Sequence, residues 1–274
     1  MKILTTNHHL KMSIIESIIL GIIQGLTEFL PVSSSGHLEL GKAFLKVNLE
    51  DDLLFSIIVH CATTLSTIVV FKEDIWLIIK DLIKFQWNES TQFAAKIALS
   101  MIPVGVIGLL FKDTIEGFFQ GDIKLVGFML CLTGILLLLT HFIRQQAGGE
   151  VTFWRALVIG IAQAVAIMPG ISRSGSTIAT ALLIGTDRSK AARFSFLMVI
   201  PPIMGATLLE MKDYVEQGTK ADMSFAVLSV GFVAAFVTGL FACKLMLDLV
   251  RKGKLLYFAI YCFIIGLSAV LFFS

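Results

Sequence analysis

Long apolar runs, interrupted by short polar clusters, organise this chain from end to end. Six segments, at 53–71, 93–111, 123–143, 194–211, 224–247 and 255–273, have the roughly 20 mostly apolar residues that a bilayer-spanning helix needs. Two further runs, Ser13 to Leu30 and Phe153 to Met168, each stop at a proline followed by a Ser/Gly cluster, and each is followed by a shorter apolar piece, Leu38 to Val47 and Thr177 to Gly185. A helix of about ten residues covers only half a bilayer. Each pair is therefore predicted to be a re-entrant helical hairpin, 13–47 and 153–185, that enters and leaves on one side. Backbone broken at membrane depth is tolerated only where protein or a water-filled cavity satisfies its polar groups, so both Ser/Gly loops should line a cavity.

The polar clusters repeat. GIIQGLTEFLPVSSSGH, Gly21 to His37, returns without a gap 139 positions later as GIAQAVAIMPGISRSGS, Gly160 to Ser176, and the same offset carries Phe55-Ser56 onto Phe194-Ser195. Three spans lie between the two hairpins, an odd number, so the second copy enters from the opposite face. The predicted fold is an all-α polytopic membrane protein with an inverted-topology repeat. Each half is a re-entrant helical hairpin plus three transmembrane helices, over residues 13–143 and 153–273. The copies differ in reactive groups: Glu28, Ser34 and His37 stand opposite Ile167, Arg173 and Ser176. A shared scaffold with divided chemistry implies one composite site.

Composition fixes the medium. An apolar share of 56%, 22 Phe, 15% charge and a mean hydropathy of +0.87 do not describe a water-soluble domain. The net charge of +2 implies no nucleic-acid partner. Cys61, Cys131, Cys243 and Cys262 lie in apolar segments at spacings unlike a metal motif or disulfide framework, and read as small apolar groups. Met1 to Met12 is polar, with no cleavage site after the first apolar run, which argues against a cleavable signal peptide. In the predicted topology one face carries twelve Lys/Arg residues, among them Lys72, Lys80, Lys84, Arg155, Arg188 and Arg251, and the other eight, including Lys2, Lys11, Lys112 and Lys220, beside acids at Glu50 to Asp52 and Asp113 to Asp122. The first face is expected to be cytoplasmic, with both termini outside.

Gln24 and Glu28, at i and i+4, share a helix face. An ionisable Glu in a membrane helix is by default a functional candidate; the alternative is a helix-end Glu reaching interfacial water. Pro31 ends that helix. If the returning helix starts near Gly36, its N-terminus offers N–H donors to an anion. Ser34 is a weak nucleophile without a base, and His37, three residues on, suits that role near neutral pH, although S-x-x-H alone is common by chance. Arg173 is the strong cation of the two loops, suited to gripping phosphate oxygens bidentately or, alternatively, to neutralising Glu28. His60, inside a span, reads as a neutral His bonded between helices, while His8, His9 and His141 read as exposed. Pro103, Pro201 and Pro202 are expected to kink helices around the cavity.

These residues carry a resemblance. With QGLTEFLPVSSSGH (Gln24 to His37), PGISRSG (Pro169 to Gly175), MIPVGVIGLLFKDTI (Met101 to Ile115) and FSFLMVIPPIMGAT (Phe194 to Thr207) in order, the chain resembles an undecaprenyl-diphosphate phosphatase of the integral-membrane bacitracin-resistance type. The resemblance implies hydrolysis of undecaprenyl diphosphate to undecaprenyl phosphate and phosphate, in a bacterial plasma membrane, with recycling of the lipid carrier for cell-wall synthesis. It implies Ser34 as nucleophile, His37 as acid/base, Glu28 as a catalytic carboxylate and Arg173 as phosphate clamp. Ser33, Ser35, Gly36, Ser172, Ser174, Gly175 and Thr177 fall on its phosphate-binding positions. It also implies a divalent cation, Mg2+ or Ca2+, at Glu28 and Gln24. Gln24 stands at a position that is Glu or Gln in the family, so Glu28 alone supplies charge for that cation. Attack by Ser34 through a phosphoserine and direct attack by activated water are both compatible with these residues. The expected partners are the polyprenyl diphosphate and the bilayer; the oligomeric state stays open, a homodimer being one option. The rival class is an inverted-repeat transporter or flippase for a lipid phosphate or other anion, which would need neither Ser34 nor His37.

Overall fold

The computed structural model describes residues 12–47, 52–111, 115, 117, 122–143, 148–216 and 223–272. Its regular elements among these residues are α-helices: α1 (Ile14–Phe29), α2 (Ser34–Leu45), α3 (Asp52–Val70), α4 (Lys72–Ile83), α5 (Glu89–Leu110), α6 (Ile123–Leu139), α7 (Phe153–Val165), α8 (Arg173–Leu183), α9 (Arg188–Met198), α10 (Ile200–Glu216), α11 (Phe225–Arg251) and α12 (Leu256–Phe272). The basic residues Lys2, Lys11, Lys112, Arg144 and Lys220, the acids Glu50, Asp51 and Asp113, and His8 and His9 lie outside the described residues.

The helices start where their capping chemistry says they should. Ser13 and Glu16 form a reciprocal capping box at α1, and Asn88 with Thr91 forms another at α5. Asp122, Thr152, Asp187 and Ser224 accept from first-turn N–H groups of α6, α7, α9 and α11.

Length and hydropathy suit α5, the α9–α10 stretch Arg188–Tyr214 and α11 to crossing a bilayer, and α3 with α4 would make a fourth span but for a 77° bend between them. α6 and α12, of 17 residues each, are about 26 Å long at 1.5 Å per residue. This all-helical, apolar architecture is that of a polytopic membrane protein. Its lipid-facing surface is apolar, with Ile102, Leu109, Val233, Phe241, Ile264 and Leu271 exposed, while Gln24, Ser100, Thr133 and Gln163 are buried.

One element departs from the sequence pattern. The stretch after span 53–71 carries no predicted span, yet it forms α4, a helix with none of its residues buried. Its apolar stripe includes Trp76, Leu82 and Ile83, all exposed. The 3.6-residue period is present, but the charges at Lys72, Glu73, Asp74, Lys80 and Asp81 dilute it below the hydropathy of a span.

Helix packing follows from the solvent. Lipid tails compete with apolar side chains, so close backbone approach at small residues holds membrane helices together. α1 packs on α11, α5 on α7, α3 on α11 and α6 on α12. At the α1–α11 crossing a Cβ on Gly21 would stand 2.6 Å from the Gly231 carbonyl oxygen. At the α6–α12 crossing the approach is mutual: a Cβ on Gly127 would lie 2.7 Å from the Gly266 oxygen, and one on Gly266 2.6 Å from the Gly127 oxygen.

Candidate active site

α1 and α2 form the first hairpin, α7 and α8 the second, and their tips meet. A Cβ on Gly36 would sit 3.4 Å from Gly170 Cα, one on Gly175 3.1 Å from Pro31 Cβ, and Ser174 Oγ donates to the Leu30 carbonyl at 3.3 Å. Side chains from the two hairpins therefore share one space at the ends of broken helices. Gly170, at φ 90° and hard against Val126, leaves no room for a side chain.

Glu28 is the hub. Its side chain is only 9% exposed. Ser34 Oγ donates to its Oε2 at 2.6 Å and Gln24 Nε2 at 3.0 Å. Arg173 Nη2 stands 3.5 Å from its Oε1, and His60 Nε2 3.9 Å from Oε2. A carboxylate removed from water is tolerated where an opposite charge and hydrogen bonds offset its lost hydration, and here two hairpins and α3 supply both. His60 stands between α3 and α1. Its Nδ1 lies 2.8 Å from its own helix's Ser56 carbonyl, leaving Nε2 toward Glu28.

The loop between α1 and α2 is held in a strained shape. Ser33 sits at φ 68°, outside the region a non-glycine residue prefers, at a cost of order 1–3 kcal/mol. That turn starts α2 at Ser34, two residues earlier than expected, and places Ser34 over Glu28. The Ser33 hydroxyl oxygen accepts from the Gly36 N–H at 3.2 Å and lies 3.3 Å from Ser35 Oγ. In the second hairpin Ser172 caps Gly175 in the same way at 3.0 Å, at an ordinary φ of −75°. Ser172 N–H donates to Thr133 Oγ1 at 3.0 Å, Ser172 and Ser174 hydroxyls are 3.2 Å apart, and Thr177 Oγ1 donates to the Arg173 carbonyl at 3.0 Å.

His37 lies beside this cluster but is not bonded to Ser34. Its Nδ1 is 2.8 Å from the Ser33 carbonyl oxygen, which can only accept, so Nδ1 carries the proton. Nε2 then accepts from the Tyr261 hydroxyl at 2.9 Å, and the two rings stack with centroids 5.6 Å apart. The base in contact with Ser34 is thus Glu28. Tyr261 is the neighbour that sequence reasoning missed; its one signal is a phenol inside the apolar run 255–273, where the hydroxyl needs a partner.

Behind Glu28, on the Arg173 side, a small cavity is lined by Glu28, Arg173, Ser174, Thr177, Ser195 and three threonines of α3. For a cation, the donor set is small. Among the described residues no three His, Cys, Asp or Glu groups cluster. Glu28 is the carboxylate of the cavity, and the buried Gln24 Oε1 has no hydrogen-bond partner among the described residues. One carboxylate plus an amide oxygen fits a cation held chiefly by substrate phosphates, as Mg2+ commonly is, and not a protein-built cage.

Comparison with known proteins gives the family. The family model described as bacitracin resistance protein BacA matches residues 17–268. A protein named undecaprenyl-diphosphatase from Christiangramia forsetii is 52% identical over 263 residues, covering 95% of this chain and 98% of the other. Proteins of the same name from Parabacteroides distasonis and Halothermothrix orenii are 50% and 42% identical, over 94% and 95% of this chain and 98% of each relative.

Proposed function

Because the chain belongs to the bacitracin resistance protein BacA family, we propose that it is an undecaprenyl-diphosphatase, hydrolysing undecaprenyl diphosphate to undecaprenyl phosphate and inorganic phosphate. The observation that carries the chemistry is the 2.6 Å hydrogen bond from Ser34 Oγ to Glu28, whose other oxygen faces Arg173 at 3.5 Å. A hydroxyl, a base and a phosphate-gripping cation thereby meet at one carboxylate, as phosphoryl transfer requires of positioning and charge.

The lipid tail lies among the apolar helices and the diphosphate between the hairpin tips. Arg173 and the N-terminal turns of α2 and α8 bind phosphate oxygens, with Ser33, Ser35, Gly36, Ser172, Ser174, Gly175 and Thr177 shaping those turns. Glu28 takes the Ser34 proton as Oγ attacks the terminal phosphorus, and the bond to the bridging oxygen breaks to release undecaprenyl phosphate. Water then cleaves the phosphoserine. His37, held by Ser33 and Tyr261 in the Nδ1–H tautomer, offers Nε2 as the site that takes up or returns a proton. A divalent cation would be held by Glu28, Gln24 Oε1 and the phosphates, and would supply charge neutralisation.

The molecule that presents this site is, on the same proposal, an inverted repeat of residues 13–143 and 153–273 in a bacterial plasma membrane, with both termini outside. Reciprocal contacts support it. Gly127 and Gly266 are 139 positions apart and face each other; a Cβ on Gly127 would meet Val270, and one on Gly266 would meet Cys131, again 139 apart. Gly36 meets Gly170 and Gly175 meets Pro31 under the same exchange. Residue i touching j while the copy of i touches the copy of j is the mark of a two-fold axis. A homodimer belongs to the same proposal and is read by light scattering in detergent.

The test is phosphate release from undecaprenyl diphosphate by the purified protein in detergent, beside folded Ser34→Ala, His37→Ala and Arg173→Ala variants. Turnover falling by roughly 100-fold or more in each is expected. Full activity of Ser34→Ala would reassign attack to water. No release by the unaltered protein would sink the enzyme reading and leave the transporter.

A further inference from the structure

We propose that the cavity on the Arg173 side of Glu28 is a subsite for inorganic phosphate in its protonated forms, the released product, with Ser195 as a binding donor alongside Arg173. This rests on the phosphatase reading for the origin of the phosphate, but not for its binding.

The polar lining reveals what would fill it once each proton is assigned. Thr63 donates to the Val59 and His60 carbonyls, Thr64 to His60, Thr67 to Thr63, and Thr177 to Arg173, at 2.9–3.3 Å. Their hydroxyl protons are committed to backbone, so toward the cavity these oxygens present lone pairs only. Glu28 adds a carboxylate. Against these acceptors stand two donors. Arg173, its side chain 30% exposed, approaches Glu28 through Nη2 and carries five N–H groups in all. Ser195 lines the cavity at 3% exposure, and its Oγ has no hydrogen-bond partner among the described residues.

A buried hydroxyl without a partner costs about 1–3 kcal/mol, so Ser195 is a group waiting for a ligand. Water could meet one or two of these groups. The full set calls for a small species with both anionic oxygens, for Arg173 and Ser195, and O–H groups, for Glu28 and the threonine lone pairs. Hydrogen phosphate has both. A fully deprotonated oxyanion has the first only and leaves Glu28 and the threonine lone pairs without a donor.

The cavity sits where such a product would go. Ser34 reaches Oε2 of Glu28, and Arg173 faces Oε1, so a phosphate freed at Ser34 can pass along Arg173 into the pocket without losing its cation. The rest of the lining, Phe29, Phe196, Val199 and Ile203, is apolar, which leaves binding to the polar groups.

Sulfate separates this proposal from simple anion attraction, because it has the shape of phosphate and no proton to donate near neutral pH. Calorimetric titration of the purified protein in detergent is expected to show saturable binding of inorganic phosphate, with sulfate at least tenfold weaker. Ser195→Ala should weaken phosphate about tenfold, the order of one hydrogen bond to a charged group, and Ser195→Thr, which keeps the hydroxyl, should restore it. Equal affinity for sulfate and phosphate, unchanged phosphate affinity in folded Ser195→Ala, or no saturable binding would each overturn it. The sulfate comparison needs no variant, so a Ser195→Ala protein that fails to fold leaves the proposal open to refutation. Turnover of undecaprenyl diphosphate without this binding pattern removes the subsite alone. The binding pattern without turnover removes the phosphatase reading alone.

Discussion

Glu28 concentrates the chemistry of this protein in one side chain. Ser34 and Gln24 bind one of its oxygens, Arg173 faces the other, and His60 completes the surround. A carboxylate this buried stays ionised, and so able to accept a proton from Ser34, where an opposite charge stands beside it, and Arg173 from the other hairpin supplies that charge. His37 depends on a neighbour in the same way. Without the Tyr261 hydroxyl, Nε2 loses its donor and the ring one of its two anchors. Tyr261→Phe keeps the stacked ring and removes only that hydrogen bond, so kcat is expected to fall about tenfold with KM nearly unchanged; steady-state kinetics on undecaprenyl diphosphate measures both. A fall in KM affinity with constant kcat would make Tyr261 a lipid-binding residue instead. Gln24, Glu28 and Arg173 were legible as candidates because polar groups stand out in apolar helices, whereas Tyr261 and His60 gain meaning only from what they touch.

At the scale of helices, small residues decide where elements cross. Gly127 and Gly266 allow α6 and α12 to approach backbone to backbone, and Gly127→Leu would drive a side chain into the Gly266 carbonyl. Overpacking of this kind costs typically 1–3 kcal/mol, seen as a lower unfolding temperature in detergent. The hairpin tips rest on α6 through Val126 and Thr133, so that variant should lose turnover as well. α4 turns 77° away from α3 and carries an exposed apolar stripe, with Trp76 and then Trp87 near 70% exposed, as is Trp154 at the start of α7. Aromatic residues of this kind settle at the membrane interface. In vesicles, intrinsic tryptophan fluorescence is expected to be quenched more by bromines near the headgroup than at the chain ends; the reverse order would bury these helices in the hydrocarbon. The break between α9 and α10 at Val199 precedes Pro201 and Pro202, where missing N–H groups interrupt the helical ladder.

The whole molecule brings together two hairpins that cannot make a site alone. The first supplies Glu28, Ser34 and His37, the second Arg173, and contact at Gly36–Gly170 and Gly175–Pro31 fixes their separation. On the proposed reading a divalent cation would be held mainly by substrate phosphates, since the described residues offer it Glu28 and little else. EDTA is therefore expected to suppress phosphate release, and added Mg2+ or Ca2+ to restore it, while leaving the unfolding temperature of the free protein unchanged. A large drop in that temperature on chelation would reveal a structural metal instead.

The sequence by itself determined the medium, an all-helical architecture, the helix breaks at the two Ser/Gly loops and the repeated motifs. These follow from local properties: run length against bilayer thickness, prolines that end helices, and repeated residues at a fixed offset. It also gathered the reactive groups into two loops. Only the tertiary structure decided the pairing among them: Ser34 with Glu28 instead of the nearer-seeming His37, His37 with Tyr261 224 positions away, His60 facing Glu28, and Ser195 at the cavity wall. Spacing along a chain limits which residues can share a helix face. The strained turn at Ser33 and the packing of distant helices fix where those faces point, and no local pattern encodes either.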